Sequence, residues 1–205
     1  MTEIRTARTR AQRTSVLQQA FDRRHADVMA ALTAIYGDAP ALLERTCRRI
    51  AEMLAAYRTR YGDDAVIIAR APGRVNIMGR HVDHQGGMNN HIAIDRDVYL
   101  IAGAAPDRCV HLANLDDARF PAGRYAIDDA LDGYTGQPWL DFVNSAGVLR
   151  RVEQARGDWS QYVMAPLVRL QAEFPDRPLT GLHLLACGSI PIASGLSSSS
   201  AIVVA

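Results

Sequence analysis

The spacing of apolar residues predicts two helices at the start of the chain. Over residues 11–35, apolar positions recur near helical spacing, and the Gly-Asp-Ala-Pro run at 37–40 ends the pattern. A second helix is predicted from Pro40 to about Tyr61. Its apolar residues step by four, three, four, three and four positions, at Leu43, Cys47, Ile50, Leu54, Tyr57 and Tyr61. One buried stripe is therefore expected, and we interpret the two helices as a packing layer or an N-terminal extension.

From residue 64 onward the pattern changes to short β-rich runs. Strands are predicted over residues 65–69, 75–78, 98–102, 108–112, 120–127 and 180–187. Pro72 and Gly73 are interpreted as the first turn. Helices are predicted over 139–156 and 159–174, where Pro166 would kink or break the second. Strands grouped ahead of helices indicate an α+β fold, which we divide into a helical segment, 1–62, and a domain, 63–205.

The stretch from Gly188 to Ala205 carries the most informative pattern. An apolar strand, 182–186, runs into a loop of Gly, Pro and Ser, and the loop runs into an apolar segment, 201–205, that is typical of a helix just beginning. Backbone N–H groups in the first turn of a helix have no intrahelical acceptor, and Gly195 allows close backbone approach. An anion site is therefore predicted, in which serine hydroxyls could also bind a phosphate-bound metal.

Two other motifs for phosphate or serine chemistry do not fit this loop. A Walker A loop needs GxxxxGK(S/T), and every basic residue of the chain is arginine. A hydrolase nucleophile elbow needs GxSxG, whereas the run that starts at Gly195 reads GLSSS. A flexible serine-rich linker stays as the alternative, although linkers rarely have apolar runs on both sides.

Composition and charge narrow the function classes. The formal charge is 23 − 22 = +1, which suggests no nucleic-acid partner. Cys47, Cys109 and Cys187 lie far apart, which favours a reducing, cytoplasmic compartment and disfavours zinc. No apolar run approaches the ~18 residues that span a membrane. The Arg-rich start could be a transit peptide, but Glu3 and Asp22 favour a solvated helix face.

Two stretches resemble the GHMP kinases, a family that includes galactokinase, homoserine kinase and mevalonate kinase. Residues Pro191–Ala201, PIASGLSSSSA, look like the family's ATP-phosphate motif. Residues Arg70–Gly87, RAPGRVNIMGRHVDHQGG, are similar to the galactokinase sugar-binding signature, approximately APGRVNLIGEHTDYNGG. The resemblance covers about 64–205. It implies a GHMP kinase N-terminal domain, of the ribosomal protein S5 domain 2-like fold, preceded by the helical segment.

The activity that the resemblance implies is a sugar kinase. It would transfer the γ-phosphate of ATP, with Mg²⁺, to the anomeric hydroxyl of a galactose-like sugar or uronic acid. Arg74 would act as the catalytic residue near the transferred phosphoryl group, where it would stabilise the charge of that group or of the catalytic carboxylate. The implied sugar-binding residues are Arg80, His81, Asp83, His84, Gly86 and Gly87. The implied ATP-binding residues are Pro191, Gly195, Leu196, Ser197, Ser198, Ser199 and Ser200. Ser199, or Ser198 beside it, would supply an oxygen to the magnesium ion.

Arg80 departs from the galactokinase pattern, which usually has Glu here. A guanidinium cannot accept a hydrogen bond from a sugar hydroxyl and favours a carboxylate. The DHQGG run that ends at Gly87 is similar to the galacturonate-kinase branch. Together, Arg80 and this run suggest a uronic acid as substrate. Arg80 could instead point to solvent, and Asp83 could cap a turn.

Other interpretations of the chain stay open. His81, Asp83, His84 and His91 could hold a metal. The whole fold could serve a non-catalytic regulator that binds sugar and ATP, or a homoserine or mevalonate type of kinase. The family's catalytic Asp and a further glycine-rich motif have no counterpart before Ala205. We therefore expect the chain to be the N-terminal part of a longer kinase, inactive by itself.

Overall fold

A computed structural model describes residues 11–79, 82 and 85–205. The helices in this part of the chain are α1 (Thr14–Asp22), α2 (Ala26–Tyr36), α3 (Pro40–Tyr61), α4 (Ile127–Ala130), α5 (Trp139–Val143), α6 (Ala146–Gln154), α7 (Gln161–Glu173) and α8 (Ser198–Val204). The strands are β1 (Gln12–Arg13), β2 (Ala65–Met78), β3 (Asn90–Ala105), β4 (Cys109–Asn114), β5 (Gly123–Ala126) and β6 (Gly181–Gly188). The α+β prediction is confirmed. None of these helices is long and apolar enough to cross a membrane.

The strands form one mixed sheet in the order β1-β2-β3-β6-β4-β5. Its centre is the long antiparallel hairpin of β2 and β3, and β6 pairs with the second half of β3, from Val98 to Ala105. Only the pairing of β4 with β6 is parallel among the described strands. The hairpin therefore extends past the rest of the sheet at the end that carries Arg74.

The sheet separates two hydrophobic cores. On β3, Tyr99 and Ile101 pack toward α1–α3, whereas Val98 and Leu100 pack toward α7 and α8, because alternate strand residues face opposite sides. The predicted stripe of α3 is confirmed, since it supplies the first core with Leu43, Cys47, Ile50, Leu54 and Tyr57. Helices α1–α3 thus form a packing layer, one of the two predicted alternatives.

Several predicted helices differ in extent. The helix predicted over 11–35 is interrupted at Arg24, which has a left-handed φ of 50°, and α2 restarts with His25 as its N-cap. The helix predicted over 139–156 divides at Ser145, whose hydroxyl caps α6 by accepting from Val148 N. A serine hydroxyl competes for the hydrogen bonds of the helix backbone, so serine is more favourable at helix caps than in helix interiors. Conversely, α7 runs unbroken through Pro166, so the prediction of a break at this residue is wrong.

Pro72 and Gly73 do not form the predicted turn but lie inside β2, at a bulge. Pro72 lies opposite Asp97 of β3. The backbone N–H and C=O of Asp97 are both engaged by Ser189 on the β6 side, at 3.0 and 2.8 Å. The Pro72–Asp97 pair is therefore a non-hydrogen-bonded pair, in which a residue without an N–H fits. The residues predicted as two strands, 65–69 and 75–78, consequently belong to one.

A buried polar network joins the helical layer to the sheet. The Asp97 side chain is only 3% exposed and forms an ion pair with Arg70 at 2.6 Å. The hydroxyl of Tyr36, in α2, donates to Asp97 at 2.5 Å and lies against the hydroxyl of Tyr99. Burial raises the pKa of Tyr36, and its hydrogen bond to Asp97 adds to the shift. The same Asp97 holds Ser189 through its backbone, so the network reaches the start of the loop between β6 and α8, residues 189–197.

Replacing Asp97 by Ala should destabilise the protein by about 3 kcal/mol, because it leaves the partly buried Arg70 without its partner. The measurement is urea unfolding followed by circular dichroism. Asp95→Ala is the matched control, two residues away and 53% exposed beside Arg96, and should cost less than about 1 kcal/mol. Equal losses for the two variants would contradict the role given to the network.

Candidate functional site

The bulge in β2 lies directly against the loop that leads into α8. A Cβ added to Gly73 would lie 3.0 Å from the carbonyl oxygen of Leu196 and 3.2 Å from Ile190 Cδ1. The next residue, Arg74, donates its backbone N–H to the same Leu196 oxygen at 3.2 Å. Its side chain donates from Nε to Ser197 Oγ at 2.9 Å. The two sequence motifs, 123 residues apart at this contact, therefore form one site.

In the loop before α8, every second residue from 193 to 197 has a left-handed backbone conformation. Ala193, Gly195 and Ser197 all have left-handed φ values, 56°, 74° and 64°. Left-handed conformations are unusual for residues other than glycine, and strain of this kind clusters at functional sites. The Ser194 hydroxyl donates to Pro191 O at 2.7 Å and closes the turn.

Helix α8 begins at Ser198, three residues before the predicted apolar segment. Its N-cap residue, Ser197, has a left-handed backbone and makes no side-chain capping bond, and its hydroxyl accepts from Arg74. The first-turn N–H groups of Ser198, Ser199 and Ser200 have no acceptor within the helix. These are the groups that the predicted anion site would use.

A cavity of about 830 Å³ lies beside this loop. Its lining includes Pro191 of the loop and Ser198 and Ser199 at the start of α8. It also includes residues at and after the end of β4 and around the start of α7: Asn114, Asp116, Phe120, Trp159 and Tyr162. Phe120 and Trp159 meet edge to face, with ring centroids 5.8 Å apart. Aromatic side chains and the serines at the start of α8 thus line the same cavity.

The glycines around the predicted sugar-binding loop have clear conformational reasons. Gly79 has φ 86°, and a Cβ there would lie 2.2 Å from Met88 O. Gly86 has φ 78°, and Gly87 donates its N–H to Val82 O at 2.8 Å. A tight turn therefore ends the loop at Gly86 and Gly87. Four predicted ligands, Arg80, His81, Asp83 and His84, lie outside the described residues. Their roles, and the alternative metal site, stay predictions.

Sequence reasoning missed two parts of this site. Phe120 and Trp159 come from separate predicted elements, and neither spacing nor composition marks them as neighbours. His91 was considered only as a metal ligand, whereas its Nε2 lies 3.2 Å from Arg74 Nη1. Pairing of β2 with β3 could have indicated this contact, because Asn76 is opposite His91 and Arg74 opposite Ala93.

Comparison with known proteins supports the predicted resemblance. Residues 55–104 match a family model described as the galactokinase galactose-binding signature. The chain is 33% identical over 137 residues to a galactokinase of Chloroflexus aggregans, covering 67% of this chain and 29% of that protein. A galactokinase of Haemophilus influenzae is 30% identical over 135 residues, with 66% and 29% covered. The chain thus spans less than a third of the length of these relatives.

A solved structure confirms the predicted fold. The galactokinase of Lactococcus lactis, crystallised with galactose, is 24% identical and superposes with a TM-score of 0.56. The match covers 76% of this chain and 34% of that one. The matched part of the chain therefore has the GHMP kinase fold seen in that galactokinase.

Gly73→Ala should destabilise the protein by about 1–3 kcal/mol, because the added methyl group overpacks the contact with Leu196. Gly147→Ala is the control, in the exposed helix α6 with nothing within 4 Å of the new Cβ, and should be neutral or stabilising by up to ~1 kcal/mol. Both are measured by thermal unfolding. If Gly73→Ala were as stable as the control, the contact would not be as tight as described.

Proposed function

We propose that this chain belongs to an ATP-dependent sugar kinase, which transfers the γ-phosphate of ATP to the anomeric hydroxyl of galactose or a related uronic acid. The observation that carries the proposal is the contact of Arg74 with Ser197. Arg74 belongs to the sugar-signature strand and Ser197 to the serine-rich loop. One cationic side chain therefore stands where a phosphate bound by the loop and a sugar bound by the signature would meet.

ATP fits the site in size and chemistry. The cavity of about 830 Å³ is within the range of about 300–1,000 Å³ common for small-molecule sites. The aromatic wall of Phe120 and Trp159 suits a purine ring. Residues Gly195 to Ser200, which include Leu196, would hold the phosphates together with Pro191. They would do so through backbone N–H groups and serine hydroxyls. Ser199, or Ser198, would bind the Mg²⁺ ion that neutralises phosphate charge during transfer.

Arg74 would stabilise the phosphoryl group during transfer. In the reaction, the sugar hydroxyl oxygen bonds to the γ-phosphorus while the bond to the bridging oxygen of ADP breaks, and negative charge spreads over the equatorial oxygens. A guanidinium fixed by its neighbours can stabilise that charge without reorganising. Within residues 11–79, 82 and 85–205, the guanidinium of Arg74 is held by Ser197 and His91, and neither is a carboxylate.

The sugar would be held by the loop between Gly79 and Gly87. His81, Asp83 and His84 offer donors and acceptors for hydroxyls, and Gly86 and Gly87 would shape the turn. Arg80, in place of the usual Glu, supports a uronic acid whose carboxylate it could pair with. We also propose that the chain divides between residues 62 and 63 into a helical segment and a kinase domain. We further propose a cytoplasmic location for the protein.

The first test of function is ADP release by the full-length protein with Mg-ATP. The panel is galactose, galacturonate, arabinose, glucuronate and a cyclitol. Release should depend on galactose or galacturonate, because the signature and Arg80 favour these. Silence across the panel, with ATP still bound, would contradict the kinase and favour a non-catalytic regulator.

If galacturonate is preferred, Arg80→Glu separates the substrate class from the reaction. The ratio of kcat/KM for galacturonate to that for galactose should fall at least about tenfold, because a carboxylate replaces the cation that would pair with the uronate. An unchanged ratio would refute the role of Arg80 and leave the kinase proposal intact.

Phe120→Ala should raise the Kd for ATP about tenfold, because it removes one ring of the aromatic wall. Isothermal titration calorimetry measures this. Trp139→Ala is the control, an aromatic residue that lines a different cavity, and should leave the Kd unchanged. Equal effects of the two variants would place the nucleotide elsewhere.

A further inference from the structure

His91 touches the candidate catalytic arginine from the neighbouring strand. Its Nε2 lies 3.2 Å from Nη1 of Arg74. A guanidinium has only donors. In this contact the imidazole therefore accepts, which requires a neutral ring with its proton on Nδ1.

The backbone fixes this pair. In the β2–β3 hairpin, Asn76 is opposite His91 and Arg74 is opposite Ala93, so Arg74 and His91 are diagonal neighbours. Residues two apart on a strand share a face, and diagonal pairs are within reach of long side chains. The position of His91 relative to Arg74 is thus set by strand register and not by a loop.

Among the residues that the structure describes, the side chain of Arg74 has two partners, and neither of them is a carboxylate. Ser197 Oγ accepts from Nε at 2.9 Å, and His91 accepts from Nη1. Elsewhere in the protein, arginines such as Arg70 and Arg108 are held by carboxylates. A carboxylate would also orient Arg74 but would cancel its charge for an approaching anion. A neutral imidazole orients the guanidinium and keeps that charge.

We propose that His91 is a positioning residue for the transfer step: as a neutral acceptor, it aims the guanidinium of Arg74 along the loop at Ser197. This rests on the proposed function, in which Arg74 stabilises the transferred phosphoryl group. In this role His91 acts through Arg74 and not directly on the nucleotide or the sugar. Its effect therefore appears in the transition state and not in substrate binding.

The test compares variants of the full-length protein in the ADP-release assay. His91→Ala should lower kcat about tenfold, the effect of losing one hydrogen bond to a charged group, with both KM values nearly unchanged. His91→Gln should restore most of kcat, because its amide oxygen can accept in place of Nε2. His91→Glu should stay low, since it holds Arg74 but neutralises its charge. His25→Ala, an exposed histidine at the start of α2, should match the wild type.

Two kinetic outcomes would overturn the inference. One is a His91→Ala enzyme with wild-type kcat. The other is a His91→Gln enzyme as impaired as His91→Ala, which would indicate a merely structural role. A His91→Glu enzyme with wild-type kcat would refute the part of the inference that concerns charge.

A second measurement does not depend on activity. In ¹⁵N NMR of the full-length protein, His91 should have an unprotonated, hydrogen-bonded Nε2, and Arg74→Ala should shift that resonance. A proton on Nε2 would overturn the inference even if no sugar in the panel were phosphorylated. Conversely, absence of sugar-dependent ADP release with the expected tautomer would refute the proposed function alone.

Discussion

The close approach of two backbones at Gly73 and Leu196 is the contact on which the candidate site depends. A Cβ at residue 73 would crowd this contact, lying 3.0 Å from the carbonyl oxygen of Leu196, and the contact places Arg74 within hydrogen-bond distance of Ser197. Ser197, which accepts from Arg74, is also the N-cap residue of α8 and makes no capping bond there. The absence of a side chain at Gly73 thus lets the signature strand pack closely against the serine-rich loop.

The layers around this contact have separate supports. The helical layer of α1–α3 packs on one face of the sheet, while the loop and α8 belong to the other. The Asp97 network crosses between them, because its carboxylate pairs with Arg70 and its backbone holds Ser189. A charged group buried to this extent is tolerated only when every partner is present. The N-terminal helices therefore contribute to the frame that holds the loop.

Sequence patterns predicted those features that depend on local spacing. The stripe of α3 repeats regularly enough to give its bounds, and the predicted strand–loop–helix order around Gly195 matches β6, the following loop and α8. Predictions from sequence patterns were wrong where strand pairing in the folded protein overrides a local turn signal. Pro72 and Gly73 read as a turn, but the strand accommodates them because Asp97 directs its hydrogen bonds to β6. No pattern in the sequence predicted the aromatic wall of the cavity, because Phe120 and Trp159 become neighbours only in the folded protein.

The most direct test of this account is a crystal structure of the full-length protein with a non-hydrolysable ATP analogue and magnesium. The account predicts the purine against Phe120 and Trp159, with the phosphates on the loop from Gly195 to Ser199 and the terminal phosphate facing Arg74. A nucleotide bound elsewhere, or with its phosphates turned away from this loop, would contradict the central claim.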